Sequence, residues 1–234
     1  MKLKPLFLIF AALLLLLVGC ADDSSDDGTT WTEIFSDDFT RPDTTYIANA
    51  SDTLGLDYNV RADDTVGGTI QITSNEVACG TKASAEYQTP LTVDNVKLTL
   101  KFRSDAFSNN AQDGVYLQDA ITAPAGCQVS AGYFSDGTGY ALYILDKDTS
   151  PPDILATAAV TLSVDTEYML EMAIDDGAVT GTIKSSAGAT LAIATASAAS
   201  TSNKYADCLM QEPSFSMNLT GTVHFDDFTI STGD

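Results

Sequence analysis

The chain has 234 residues, of which 32 are Asp or Glu and 11 are Lys or Arg, so its formal charge at pH 7 is −21. A protein this acidic repels nucleic-acid phosphates, and we therefore exclude DNA and RNA as expected partners. Hydrophobic residues make up 44% of the chain, which is enough for a sizeable core in one all-β domain of this length.

The first 20 residues have the pattern of an export signal. Two lysines in the first four residues precede an apolar run over residues 6–18, which is too short for a comfortable membrane span. The run ends in Leu17-Val18-Gly19-Cys20, which resembles the bacterial lipobox. The resemblance implies that residues 1–19 are a lipoprotein signal peptide and that Cys20 becomes the acylated anchor. The alternative is an ordinary signal peptide with a chance cysteine.

Residues 20–30 are predicted to be an acidic, disordered tether. They contain four aspartates and no apolar side chain larger than Ala, apart from Cys20 itself, so they cannot form a core. Loss of residues 1–19 would remove two lysines and change the formal charge from −21 to −23. Ala21 stands where inner-membrane lipoproteins tend to have Asp, so the resemblance favours the outer membrane or cell surface. The envelope type of the host stays open.

From Trp31 onward, apolar residues alternate with polar ones, and turn residues separate the runs, as expected for β-strands. The clearest strand covers residues 96–103, with Val96, Leu98, Leu100 and Phe102 on one face. A hairpin is predicted from 167–175 and 179–184, because Asp175-Asp176-Gly177 is a turn signal. Further runs are predicted at 67–73, 83–88, 114–119, 127–134, 139–146, 155–162 and 190–194. Frequent short strands indicate an antiparallel sandwich.

Two segments far apart in the sequence resemble each other. Phe35-Ser36-Asp37-Asp38-Phe39 lies near the start of the β region, and Phe225-Asp226-Asp227-Phe228 lies near its end. No fixed period connects them, so they are not an internal repeat. The similarity predicts that the first and last strands lie side by side.

These segments, together with the strands at 96–102, 114–117, 139–144 and 168–183, resemble in order and spacing the concanavalin A-like lectin/glucanase jelly rolls, which include laminin-G-like domains. The resemblance covers residues 35–231. It implies an all-β, antiparallel two-sheet jelly-roll sandwich for residues 31–234, with a concave face that often holds carbohydrate. It does not imply catalysis, because many relatives only bind.

A carbohydrate-binding face is predicted from the alternation of three strands. Val115 and Leu117 suit the core, as do Leu142 and Ile144, so their neighbours face the other way. Aromatic rings and planar polar groups suit the apolar surfaces and hydroxyls of a sugar. The predicted ligand-binding residues are Tyr116, Gln118, Gln128, Ser130 and Tyr143. Tyrosines are also common on β-surfaces without any binding role.

Calcium is the one metal for which the sequence offers candidate ligands. Some relatives bind a structural Ca²⁺ where the first and last strands meet, and the resemblance assigns that site to Asp37, Asp38, Asp226 and Asp227. The alternative is that these aspartates cap turns and break strand edges. Four neighbouring carboxylates would in either case need a counter-charge.

Catalysis is the less favoured hypothesis. A retaining glycosidase needs two carboxylates about 5–5.5 Å apart, and the Glu-x-Asp-x-x-Glu pattern of the glucanase branch is absent. Glu167, Glu171 and Asp175 share a strand face that we expect to be open to solvent, and Asp113 and Asp119 are six residues apart. The leading prediction is a non-catalytic glycan-binding domain. A glycoside hydrolase of the same fold and an adhesive protein-binding module are its alternatives.

The remaining cysteines and the single histidine give little support to other chemistry. Cys79, Cys127 and Cys208 allow three disulfide pairings, between which the sequence does not choose. None of the three belongs to a C-x-x-C pair, so a zinc site is poorly supported. His224, the only histidine, lies in an apolar strand pattern and is expected to have no catalytic role.

Overall fold

The computed structural model describes residues 29–43, 58–62, 69–80, 83–87, 95–107, 113–118, 127–134, 139–146, 153–197, 214–218 and 221–234. The predicted signal peptide, Cys20 and the tether up to residue 28 lie outside the described residues, as does Cys208. In the part of the chain that the structure describes, no helix is long and apolar enough to cross a membrane.

Fifteen strands make up the described regular structure. They are β1 (Trp31–Asp37), β2 (Tyr58–Ala62), β3 (Thr69–Thr73), β4 (Glu76–Gly80), β5 (Ala83–Tyr87), β6 (Val96–Ser104), β7 (Asp113–Gln118), β8 (Cys127–Phe134), β9 (Gly139–Asp146), β10 (Asp153–Ala159), β11 (Tyr168–Asp175), β12 (Ala178–Ser185), β13 (Thr190–Ala196), β14 (Ser214–Asn218) and β15 (Thr222–Gly233).

The strands form two antiparallel sheets. The eight-stranded sheet has the order β13-β12-β11-β6-β15-β4-β3, and β1 also pairs with β15. The seven-stranded sheet has the order β10-β9-β8-β7-β14-β5-β2. The predicted all-β jelly-roll sandwich of two antiparallel sheets is therefore confirmed.

The main core lies between the two sheets because each sheet turns one apolar face towards the other. On β6 the burial alternates along the whole strand, with the side chains at 96, 98, 100 and 102 inside. β11 has the same pattern, and its Tyr168 packs against Phe102 of β6. From the seven-stranded sheet, Val115, Val129 and Leu142 enter the same core. A regular period of two is the expected result when one face of a sheet is buried and the other is hydrated.

The long last strand joins two short strands to the same sheet. β15 pairs with β4 through Thr222–Phe225 and with β1 through Phe228–Gly233. Between these pairings a bulge interrupts its register with β6, and Asp227 there has a positive φ of 46°. The bulge turns Phe228 into the core, where it meets Phe35 of β1 edge to face. The first and last strands lie side by side, as the similar segments predicted.

The structure differs from the predicted strands in a few places. β2, β4 and β14 were not predicted, and the strand expected at 155–162 is found at Asp153–Ala159. β4 shows the reason, because Val77, Ala78 and Cys79 are all buried and leave no alternation to detect. A strand covered on both faces reads as a short apolar run, which does not identify a strand by itself.

Candidate functional site

The predicted ligand-binding residues lie on three neighbouring strands of the seven-stranded sheet. Tyr116 of β7 is in register with Ser130 of β8, which is in register with Tyr143 of β9. Two residues further along these strands, on the same face, Gln118 of β7 pairs with Gln128 of β8. Directly opposite residues have Cβ atoms about 4.5–5.5 Å apart. The fold therefore brings five residues that are spread over 28 positions of sequence into two adjacent cross-strand rows, which we call the polar rows.

The polar rows are on the face of the seven-stranded sheet that points away from the main core, but this face is not open. Tyr143 is 0% exposed, and Tyr116, Gln128 and Ser130 are each no more than 8% exposed. Tyr116 and Tyr143 face away from the main core, as the alternation predicted, but they are covered rather than open to solvent. The side chain of Gln118 lies outside the described residues. Strand alternation identifies which side chains leave the core, but it carries no information on what covers the second face.

A second, small apolar cluster shows how this face is packed. Ala141, Tyr143 and Leu145, which alternate along β9, are buried together, and Ile154 of β10 packs against them. Their neighbours Leu142 and Ile144 belong to the main core. β9 is thus buried on both faces. Two polar side chains on this face, Gln128 and Ser130, are also buried, and burial of such groups is costly unless they form hydrogen bonds.

The predicted calcium ligands near the end of β1 are engaged with the protein itself. Asp37 accepts hydrogen bonds from both terminal nitrogens of Arg41, at 3.0 and 2.7 Å, and from the backbone N–H of Phe39 at 2.9 Å. Asp38 accepts the backbone N–H of Thr40, which holds the pKa of its carboxyl below the ordinary value. These contacts turn the chain after β1 and bury Phe39, although its φ of 49° is unusual for a residue with a side chain.

The aspartates of the β15 bulge also have partners. Asp227 forms an ion pair with Lys101 of β6, and this hydrogen bond raises the pKa of the lysine. Asp226 accepts the backbone N–H of Asp227 at 2.9 Å, and burial raises the pKa of its carboxyl. The counter-charge that this acidic group requires is thus supplied by Lys101 here and by Arg41 at the end of β1.

A polar groove of about 500 Å³ opens between these two segments on the outer face of the eight-stranded sheet. It is lined by Ser36, Asp37, Asp38, Thr99, Lys101, Met169, Asp227 and Thr229. Among the described residues, no three His, Cys, Asp or Glu side chains are grouped closely enough to hold a metal ion. Two of the four aspartates, Asp37 and Asp227, are paired with Arg41 and Lys101, which a Ca²⁺ ion at this groove would have to displace. Nothing in the spacing of the sequence indicated Lys101, because only the register of β6 with β15 brings it there.

The other titratable residues of interest lie on the outer face of the eight-stranded sheet. Glu171 binds Lys184 at 2.7 Å, and Asp175 accepts the hydroxyl of Thr29 at 2.8 Å. Nδ1 of His224 lies 3.0 Å from the carboxylate of Glu76, which also receives the guanidinium of Arg103 at 2.8 Å. The Glu171–Lys184 and Glu76–Arg103 contacts are ion pairs across strands, and all of these groups are on the opposite side of the molecule from the polar rows. Asp113 and Asp119 have side chains outside the described residues.

Cys79 is a free thiol in the main core. It is 0% exposed on β4, and burial raises the pKa of its thiol strongly. This removes Cys79 from the three disulfide pairings that the sequence allowed, and leaves Cys127 with Cys208 as the one remaining combination. The side chains of both cysteines lie outside the described residues.

Comparison with known proteins identifies the fold. No family model matches the sequence, and no curated protein matches it. Lectin I-B4 of Griffonia simplicifolia, in its metal-free form, superposes with a TM-score of 0.57 at 11% identity over 80% of this chain and 97% of the lectin. The lectin UEA-II in complex with galactose gives 0.55 at 13% identity, over 87% and 100%.

The exoplasmic/lumenal domain of VIP36, with Ca²⁺ and Man3GlcNAc bound, gives a TM-score of 0.55 at 11% identity, over 74% of this chain and 83% of that domain. Identities this low establish the architecture and nothing finer. The two-sheet topology and these superpositions agree, and the chain has the concanavalin A-like lectin fold.

Proposed function

We propose that this chain is an extracytoplasmic lipoprotein, held at the outer membrane or cell surface by lipid on Cys20, whose sandwich binds a carbohydrate without cleaving it. The lipobox-like sequence before Cys20 and the acidic tether after it support the anchor. The fold supports the ligand class, since solved relatives have mannose-containing glycans or galactose bound.

One observation carries the carbohydrate proposal, namely the polar rows. Sugars are recognised by planar amides and hydroxyls that bind their O–H groups and by aromatic rings that pack on their C–H surfaces. Tyr116, Ser130 and Gln128 supply these groups at neighbouring positions of two adjacent strands, β7 and β8. Because they are buried, they are held in place before a ligand arrives, which lowers the entropy cost of binding.

The burial of each residue suggests a different role within the rows. Tyr143 has no exposed surface and belongs to the small apolar cluster, so we assign it a positioning role beneath the site. Tyr116 and Gln128 retain a small exposed fraction and are the described residues that we expect a ligand to contact. Ser130 lies between the two tyrosines in the row and orients its neighbours.

A binding assay against a panel of polysaccharides tests this proposal. The protein is residues 20–234 with Cys20→Ser, which keeps all fifteen strands and prevents acylation. We expect selective binding that weakens at least tenfold in Gln128→Ala and in Tyr116→Phe, a loss of about 1.4 kcal/mol or more. Thr182→Ala, on the outer face of the eight-stranded sheet, is the matched control and should bind normally. A folded protein that binds no glycan would contradict the proposal, and sugar release would indicate a hydrolase instead.

Calcium enters the proposal only as a cation that would have to displace Arg41 from Asp37 and Lys101 from Asp227. VIP36 has been solved with Ca²⁺ bound, which motivates an assay with Ca²⁺ and with a chelator. If calcium is structural, the chelator should lower the melting temperature, and Asp38→Asn should lower it equally without a chelator. Equal melting temperatures in all three samples would remove calcium from the proposal and leave carbohydrate binding untouched.

A further inference from the structure

The polar rows combine hydrogen-bonding groups with an absence of charge. Their described side chains, Tyr116, Gln128, Ser130 and Tyr143, supply hydroxyls, one amide and two aromatic rings. The small cluster of β9 and β10 beside them is apolar apart from the hydroxyl of Tyr143. Among the described side chains of these rows and this cluster, a ligand therefore meets uncharged polar and apolar groups, and no ionic one.

The lysine and arginine side chains that the structure describes lie elsewhere. They number five, and all are on the outer face of the eight-stranded sheet or in the turn after β1. Each is engaged there: Arg41 with Asp37, Lys97 with the ring of Trp31, Lys101 with Asp227, Arg103 with Glu76, and Lys184 with Glu171. Proteins recognise carboxylates and sulfates mainly with Arg and Lys. None of the described cationic side chains is placed to do this at the polar rows.

The backbone register shows which charged residues continue the polar rows across the seven-stranded sheet. Glu86 of β5 is separated from Gln118 by one strand, because both pair with Ser214 of β14. Arg61 of β2 is separated from Tyr116 by two strands, β5 and β14. Neighbouring strands are about 4.8 Å apart, so the backbone of Glu86 is about 10 Å from the rows and that of Arg61 about 14 Å. Of these two residues, the acidic one is the nearer.

The charge of the whole chain acts in the same direction. Without residues 1–19 its formal charge is −23, so an approaching polyanion is repelled over about 10 Å at 0.1 M salt. A carboxylate that reached the polar rows would also lose hydration without gaining a cationic partner. A neutral glycan meets neither penalty, because its hydroxyls exchange hydrogen bonds with water for hydrogen bonds with amides and hydroxyls.

We propose that the polar rows select glycans by charge, so that this chain binds a neutral polysaccharide and rejects glycans that contain uronic acids or sulfated sugars. This inference rests on the proposed function, because it names the class of carbohydrate that the same site binds. The fold does not determine this class, since the charge of a ligand is set by the side chains of the site and not by the architecture.

Chemical addition of charge to the bound polysaccharide tests this selection, with residues 20–234 carrying Cys20→Ser. The polysaccharide that binds in the panel is carboxymethylated, and part of that sample is converted to the methyl ester, which keeps the added group and removes its charge. We expect the dissociation constant to rise at least tenfold on carboxymethylation at about 20 mM salt, and the rise to shrink at about 500 mM salt. The methyl ester should bind like the parent polysaccharide.

The outcomes separate this inference from the proposed function. A panel in which the protein binds anionic polysaccharides would overturn the selection by charge and leave carbohydrate binding intact. The same holds if the carboxymethylated sample binds as well as the parent, or if the methyl ester binds as weakly as the acid. A folded protein that binds no polysaccharide would contradict the proposed function, and this inference with it.

Two lysine variants test whether the polar rows themselves carry the selection. Gln128→Lys adds a cation within the rows, and Thr182→Lys adds one on the outer face of the other sheet. Both change the net charge equally, so the long-range repulsion is the same in each. The ratio of the dissociation constants of the carboxymethylated and parent polysaccharides should fall by a factor of about three or more in Gln128→Lys and stay unchanged in Thr182→Lys. Equal ratios in the two variants would overturn the proposal. Circular dichroism checks folding, and if Gln128→Lys does not fold, the carboxymethylated and esterified samples decide the proposal on the wild-type sequence.

Discussion

Side chains alternate between two faces in both sheets of the sandwich, but the faces that point away from the main core differ between the sheets. The eight-stranded sheet has one apolar face and one face of threonines and ion pairs, such as Lys184 with Glu171. The central strands of the seven-stranded sheet are buried on both faces, although the second face carries Tyr116, Gln128 and Ser130. A polar strand face is therefore not always a hydrated face. Where polar side chains are buried, each requires partners, and such a face can hold a site with fixed geometry.

The largest expected effect comes from removing one aromatic side chain on each sheet. Phe225→Ala, in the main core, should lower the free energy of unfolding by about 3–5 kcal/mol. Tyr143→Ala should lower the free energy of unfolding by a similar amount, because its ring is equally buried on the face of the seven-stranded sheet that points away from the main core. Urea denaturation measures both. Thr157→Ala, at the exposed end of the same cross-strand row, is the control and should change stability by less than about 0.5 kcal/mol. A loss of stability below about 1 kcal/mol for Tyr143→Ala would contradict the conclusion that the central strands of the seven-stranded sheet are buried on both faces.

The closest approach of the two sheets provides the next prediction. A Cβ at Gly181 of β12 would lie 2.7 Å from Cγ1 of Val129 in β8, which is too short for a normal contact. Gly181→Ala should therefore destabilise the protein by about 1–3 kcal/mol, despite the better strand propensity of most residues over glycine. Thr182→Ala, the next residue, points outward and should be nearly neutral. Equal stability of Gly181→Ala and wild type in thermal unfolding would show that the sheets can separate at this point.

The buried thiol of Cys79 predicts a dependence on alkaline pH. Burial raises the pKa of this thiol in the folded protein, so its contribution to stability is complete below the ordinary thiol pKa of 9.0 and is lost as the pH rises further. Cys79 should react with a thiol reagent only after denaturation. A Cys79→Ala chain should lack that denaturation-dependent reactivity and lose less stability between pH 8 and pH 10. Rapid labelling of Cys79 in the native protein would be the contrary result.

The smallest expected effect concerns the hydrated face of the eight-stranded sheet. Burial raises the pKa of Asp226, so ionisation of this group at neutral pH opposes folding. Asp226→Asn should stabilise the protein at pH 7 by less than about 1 kcal/mol, since the site is partly screened by solvent. The gain should disappear below the ordinary pKa of 3.8, where both side chains are neutral. Glu171→Gln removes a carboxylate that holds Lys184 and should give no gain in chemical denaturation at pH 7.

The sequence determined the strands with regular alternation, the adjacency of the first and last strands, and the side chains that leave the core on β7, β8 and β9. These features follow from local steric rules, because side chains in a strand alternate whatever surrounds them. The sequence also carries the proposed anchor, which is read directly from residues 1–20.

Only the tertiary structure decided what those side chains meet. Lys101 reaches Asp227 through strand register, Tyr143 is covered although its pattern resembles that of an exposed residue, and β4 is buried on both faces without alternation. Each of these outcomes depends on contacts between segments far apart in the chain. Local propensity contains no information about such contacts, because the partner residues are chosen by the packing of one sheet on another.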